Sequence, residues 1–380
     1  MEFYLIIFWA LALCAILVQL RLTPQAMWTL LGCSYVLLVL FVGLRWETGN
    51  DWGSYYDYYE HLTSLKDNAV DFEIGFRLFS FGAKKLGLPF AGFNVVYAAI
   101  YIGLIFLSFK EDNYSVSGWL VLQFYAPFIF GLMGTTRQVM ALAICMFSVR
   151  YVLSKDWRKF LLCICVACTF HISALVFAIA WPLARVRVTP RRAWLALGTV
   201  ILLSLLDVGS VVVRVVGSYL HVADLDQKLV AVESITAEDF GYASGANPTI
   251  LWIIPRVGFL LLFIFCLRWF TEEADQLHFK LYFVSFVLLS LLSGPVFILA
   301  NRTAIYFNIF QIYLFATLTR RIKTPLFRQA YCVLLLVISL SRMYSGIFAT
   351  YPRIFVPYKG VFINQEVRRD PGWFLPDKAR

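Results

Sequence analysis

Arg150–Arg192 reads RYVLSKDWRKFLLCICVACTFHISALVFAIAWPLARVRVTPRR, in which the basic clusters Arg150–Lys159 and Arg185–Arg192 enclose an apolar run, Phe160–Leu183, interrupted by His171. As a plain helix this run would cross a bilayer once. Short loops rich in Lys and Arg stay on the cytoplasmic side, so a single crossing would put one basic cluster on the wrong face. The conflict disappears if the run is a hairpin, with half-helices rising from the cytoplasm and turning near His171. Broken helices are tolerated where they line a polar cavity. A third basic break, RRIKTPLFR at Arg320–Arg328, fits the same orientation.

Outward from this stretch the chain is of one kind. Its 380 residues are 61% hydrophobic and 15% charged, with a mean hydropathy of +0.74, which excludes an ordinary soluble protein. Further apolar runs fall at Phe3–Leu20, Ala26–Gly43, Gly92–Phe109, Ser117–Met133, Gln138–Leu153, Ala193–Leu206, Thr249–Phe270, Phe279–Ala300, Ala304–Leu318 and Gln329–Phe348. They predict an all-α, polytopic integral membrane protein of about 11–12 transmembrane or half-membrane helices. Residues 1–350 are expected to form a single membrane domain, with residues 44–91 as an outer-face loop carrying an interfacial helix. Residues 208–248 read as a long outer-face loop and residues 351–380 as an outer-face tail. The net charge of +10 is topology information rather than a nucleic-acid surface, because the basic residues cluster between apolar runs. The first run has no basic leader or small-residue cleavage site, so it is expected to be a retained helix. The eight cysteines all lie in apolar stretches and are expected to be small buried side chains.

On the outer face, the hairpin gathers the polar features. Arg45–Glu73, RWETGNDWGSYYDYYEHLTSLKDNAVDFE, is the densest. Thr48 is placed to cap a helix with Asp51 three residues on, which puts Asp51, Tyr55 and Tyr59 on one helical face. A carboxylate among tyrosines suits a sugar; the bland alternative is an aromatic belt at the membrane interface. Glu73–Pro89 has the spacing of an amphipathic interfacial helix. Arg137, Arg256 and Arg302 sit at or inside apolar runs, where a charge costs about 2.5–3.5 kcal/mol or more. A diphosphate would offset that cost through bidentate guanidinium bonds, as would snorkelling or an ion pair. His171 is either a base for a hydroxyl or a buried imidazole bonded to a carbonyl. His61, His221 and His278 are expected in solvated loops, and Lys66, Lys84, Lys85 and Lys228, with Arg368 and Arg369, on wet surface. Tyr358 and Lys359 are expected at the cavity rim.

Taken together, these residues resemble the EpsG-like group of Wzy-type polysaccharide polymerases. The group's first outer loop is similar to Arg45, Gly49, Asp51 and Tyr55 followed by Glu73, Gly75 and Phe76, with Trp52 where a tyrosine is more usual. Arg137, Gln138 and Ala141 match a second element; Phe170, His171, Ser173, Ala174 and Leu175 a third; Arg302, Tyr306 and Phe307 a fourth. The resemblance implies a GT-C-like membrane glycosyltransferase. It would transfer a growing glycan from one polyprenyl diphosphate carrier to the terminal sugar of another lipid-linked repeat unit, on the outer face of the bacterial cytoplasmic membrane. It implies Arg45, Arg137 and Arg302 as the diphosphate clamp, His171 as base with Asp51 its rival, and Glu73 as orienter of an arginine. Tyr55, Arg256, Tyr306, Tyr358 and Lys359 complete the expected substrate contacts. No cofactor or metal is required. Expected partners are the lipid-linked oligosaccharide, the bilayer, and a chain-length regulator and flippase of the same pathway. Readings of other classes are a transporter or flippase of a lipid-linked glycan or organic anion, and a membrane acyltransferase.

Overall fold

Backbone polar groups in lipid must bond within their own segment, which makes apolar runs helical. In the computed structural model all regular structure among the described residues is helical, apart from isolated bridges at Arg45, Gly360 and Ile363. The structure describes residues 2–17, 23–49, 51–65, 72–109, 133–206, 208, 248–292, 297–350 and 352–366. Among these, Gln25–Gly43, Phe90–Ser108, Thr136–Leu153 and Pro325–Ile347 are long and apolar enough to cross a membrane. The protein is therefore an all-α, polytopic membrane protein. Residues 117–132 of the expected Ser117–Met133 run, almost all of the 208–248 loop and the end of the tail lie outside the described residues. The chain divides into a unit of Met1–Leu175 with Ile322–Arg380, and a unit of Val176–Arg321.

In the first unit the helices are α1 (Glu2–Leu17), α2 (Pro24–Gly43), α3 (Trp52–His61), α4 (Ile74–Lys85), α5 (Phe90–Ser108), α6 (Thr136–Leu153) and α7 (Trp157–Phe170). Their ends follow local chemistry. Thr23 accepts the Ala26 N–H at 3.3 Å ahead of Pro24, and Asp156 accepts the Lys159 N–H at 3.2 Å, each satisfying a donor that the first helical turn leaves open. The basic cluster Arg150–Lys159 thus becomes the tight turn of an α6–α7 hairpin, which brings the start of α6 and the end of α7 to the same end. Arg137 and His171 occupy those positions.

The helix expected over Glu73–Pro89 forms as α4. Its Lys84 is half-buried and bonds the Tyr59 and Glu60 carbonyls, which corrects the expectation of a wet lysine. The open carbonyls at the end of α3 are the reason.

His171 is extended, with φ −159° and ψ 117°, so a uniform helix through it does not form. A 3₁₀ stretch, Ile172–Ile179, and a short helix, α8 (Ala180–Ala184), follow. At ~1.5 Å and ~2.0 Å of rise per residue, α7 and the 3₁₀ stretch are each shorter than the ~30 Å hydrocarbon core. The expected break at His171 is present.

The second unit holds α8, α9 (Pro190–Leu205), α10 (Pro248–Phe265), α11 (Glu273–Leu291), α12 (Phe297–Asn308) and α13 (Gln311–Arg321). Two charged groups of α11 have partners within the unit. Asp275, 2% exposed, accepts from the Thr317 hydroxyl at 2.7 Å with Arg320 and Arg321 each 3.8 Å away. Lys280 donates to the Ala184 and Val186 carbonyls at 2.9 and 3.2 Å, satisfying the frayed end of α8. His278, expected in a solvated loop, is instead buried and stacked on Tyr313 at 4.3 Å. It lies one turn into α11, on the face that packs inward.

The chain returns to the first unit with α14 (Pro325–Met343), a π-helical turn and α15 (Pro352–Phe355). Only Cys145 among the cysteines is buried, while Cys33 and Cys165 are exposed. That corrects the expectation for the group, because helices in lipid turn apolar side chains outward as readily as inward.

Candidate functional site

In the first unit, two glycines let the polar segments meet. Gly49, at φ 106°, passes so close to Gly134 that a Cβ there would lie 2.8 Å from its Cα. Gly75 crosses the end of α7, where a Cβ would meet the Thr169 hydroxyl at 2.4 Å and its carbonyl at 2.7 Å. The first contact brings the Arg45 loop onto the start of α6; the second brings the start of α4 onto the His171 break.

The result is one hydrogen-bonded chain. The Tyr55 hydroxyl donates to Asp51 Oδ2 at 3.2 Å and accepts from Arg137 Nε at 3.5 Å. Arg137 Nη1 pairs with Glu73 Oε2, and Glu73 Oε1 accepts the Ile172 N–H at 3.4 Å. At the far end, His171 Nδ1 receives the Ser173 N–H at 3.3 Å and meets the Ser173 hydroxyl at 2.7 Å. An N–H aimed at Nδ1 makes that nitrogen an acceptor, so the neutral ring carries its hydrogen on Nε2. Asp51 therefore stands at one end of a chain with Arg137 in its middle, and His171 adjoins the other end through the Ile172 peptide.

Arg137 is suited to an anion. Its side chain is 19% exposed and that of Glu73 is 21% exposed. Its guanidinium lies against the Phe72 ring at 4.4 Å and Tyr55 at 5.8 Å, contacts that hold the cation without occupying all its donors. Burial, then the nearby Asp51 charge, pushes the Tyr55 phenol well above its ordinary value. Tyr55 thus stays a hydrogen-bond donor at any working pH.

Arg45 is placed differently from the outer clamp expected of it. It is 3% exposed, and it donates to the Val42 carbonyl at 2.9 Å and the Thr136 hydroxyl at 2.7 Å. Burial pulls its guanidinium below the ordinary arginine value. It braces the residue immediately before Arg137. The tail braces it in turn: Lys359 O accepts the Trp46 N–H at 2.8 Å, and Val361 N–H donates to Leu44 O at 2.9 Å. Tyr358 and Lys359 are likewise interior. The Tyr358 hydroxyl donates to Phe41 O at 2.6 Å, and Lys359 pairs with Glu47.

Thr48 does not cap α3. Its hydroxyl bonds the Trp46 and Lys359 carbonyls, and Asp51 occupies the cap position without a side-chain cap bond. Trp52, Tyr55, Tyr58 and Tyr59 are buried, packed with Phe72, Phe76, Phe90 and Phe93, so these rings form a core rather than a belt. Trp46 and Tyr56 stay half-exposed beside Trp52, to which Tyr56 is stacked at 5.0 Å.

Arg302 and Tyr306 belong to the second unit. Arg302 is exposed within α12 rather than at its start, and Tyr306 is fully buried. Arg256 lies on α10, with its side chain outside the described residues. Thr136, Phe72 and the direct role of Ser173 escape sequence reasoning. Their only signal is adjacency to Arg137 and Glu73 and the two-residue spacing from His171.

The family model that matches this chain is that of the EpsG family, over residues 28–359. No curated protein and no solved structure matches it.

Proposed function

The chain belongs to the EpsG family, is a membrane protein of polysaccharide biosynthesis, and we propose on that premise that it is the polymerase: a glycosyltransferase joining polyprenyl-diphosphate-linked repeat units. The observation that supports this best is Arg137, a partly exposed cation on an aromatic cradle between two candidate bases. Transfer needs the leaving diphosphate held and the attacking hydroxyl deprotonated. Arg137 holds a phosphate by a bidentate fork, keeping its charge at any relevant pH. Arg45 positions it through Thr136. Arg302, Arg256 and Tyr306, which belong to the second unit, remain proposed substrate contacts in their own right.

With Nδ1 of His171 engaged by Ser173, its Nε2–H acts as a donor to phosphate oxygen, and Asp51 is the better-placed base. The carboxylate takes the acceptor hydroxyl's proton as the glycosyl C–O bond to diphosphate breaks. Trp46 and Tyr56 offer ring faces to the sugar. Tyr358 and Lys359 shape the site from behind. The GT-C-like architecture, the outer-face orientation and the bacterial cytoplasmic membrane belong to the same proposal, as do a chain-length regulator and a flippase as partners.

The test is reconstitution in liposomes with a lipid-diphosphate oligosaccharide. Polymerisation lengthens the glycan and releases polyprenyl diphosphate. Movement of intact lipid-linked substrate across the bilayer with no lengthening would instead identify a flippase.

A further inference from the structure

We propose that Glu73 is a substrate-responsive latch: its carboxylate ties Arg137 to the backbone of Ile172, and a diphosphate that takes Arg137 frees the segment carrying His171. This deepens the reading above and rests on it. Glu73 spends one oxygen on each partner: Oε2 on the Arg137 guanidinium and Oε1 on the Ile172 N–H at 3.4 Å. That N–H opens the 3₁₀ stretch, directly after the one extended residue between two helical segments. The two N–H groups that follow also depend on His171, since Ser173 N–H points at its ring and Ala174 N–H bonds its carbonyl at 3.0 Å. Glu73 therefore holds the edge of a small unit whose shape sets the imidazole.

A partly exposed ion pair is weak, whereas a diphosphate offers several charge-assisted acceptors to one guanidinium. Ligand and carboxylate compete for Arg137, and the ligand wins. Once displaced, the carboxylate has a donor nearby. The Tyr97 hydroxyl is buried without a hydrogen-bond partner among the described residues. The ring sits against Phe76 and Phe170, the latter adjoining His171.

The experiment titrates detergent-solubilised full-length protein with geranyl diphosphate, comparing wild type, Glu73→Gln and Arg137→Gln. It follows amide hydrogen exchange at 172–174 with and without ligand. If the unlatched state is populated at about a tenth, Glu73→Gln binds about tenfold tighter than wild type. Its 172–174 amides also exchange fast without ligand, a rate that wild type reaches only when saturated.

Tighter binding by Glu73→Gln together with ligand-insensitive exchange in wild type means that the carboxylate merely repels the anion. That overturns the latch and leaves the clamp standing. Wild-type affinity in Arg137→Gln overturns the clamp, and the latch with it. Should Glu73→Gln fail to fold, the wild-type exchange measurement decides alone: amides that stay protected at saturation overturn the latch.

Discussion

Two arginines adjoin the site in the first unit, and burial separates their tasks. Arg137 is partly open while Arg45 is enclosed. Arg137→Lys, which keeps the charge but loses the fork, is expected to lower polymerisation at least about tenfold with little change in thermal stability. Arg45→Met is expected to lose about 1–3 kcal/mol by leaving the Thr136 and Val42 partners unmatched, read as a drop in melting temperature. Tyr55→Phe cuts the link between Asp51 and Arg137 and is expected to lower kcat several-fold, about 1 kcal/mol. Because the Tyr55 pKa is raised in the folded protein, its hydroxyl remains protonated past about pH 10. The pH–rate profiles of wild type and Tyr55→Phe should therefore run parallel up to that point. Arg137 and His171 were legible in the sequence because a charge or imidazole at or inside an apolar run needs a reason, and Glu73 through the motif it shares with Gly75 and Phe76. The enclosure of Arg45, Tyr358 and Lys359 was not, since burial depends on what the rest of the chain lays over them.

At the scale of elements, the site depends on two close crossings and a strap. Gly75→Ala puts a methyl group into the Thr169 hydroxyl and carbonyl. It is expected to cost about 1–3 kcal/mol as overpacking and to reduce activity by moving Glu73 away from Ile172. Thermal denaturation and turnover measured on one preparation check both effects. Deleting the chain from Tyr358 onward removes the bridges to Leu44 and Trp46 and is expected to abolish activity while α5, α6 and α7 stay helical by circular dichroism. The α4 helix was readable from its period, and the α6–α7 hairpin from its charged turn. The partners of the tail were not, because contacts across more than 300 residues leave no local pattern.

At the scale of the molecule, the hairpin through His171 makes a topological prediction. Lys155→Cys and Thr189→Cys, each in a cysteine-free background, should react with a membrane-impermeant thiol reagent from the same side of the membrane. Labelling from opposite sides would make Phe160–Leu183 a single crossing.

By itself the sequence determined an all-α polytopic membrane protein, a break at His171 and the family. Hydropathy acts over some twenty residues, loop charge acts locally, and motif order survives without coordinates. Only the tertiary structure decided that Asp51, Tyr55, Arg137, Glu73 and the His171 break form one connected chain, with Arg45 behind it rather than in it. Those contacts depend on where two glycines allow backbones to touch and on which side chains the fold then encloses.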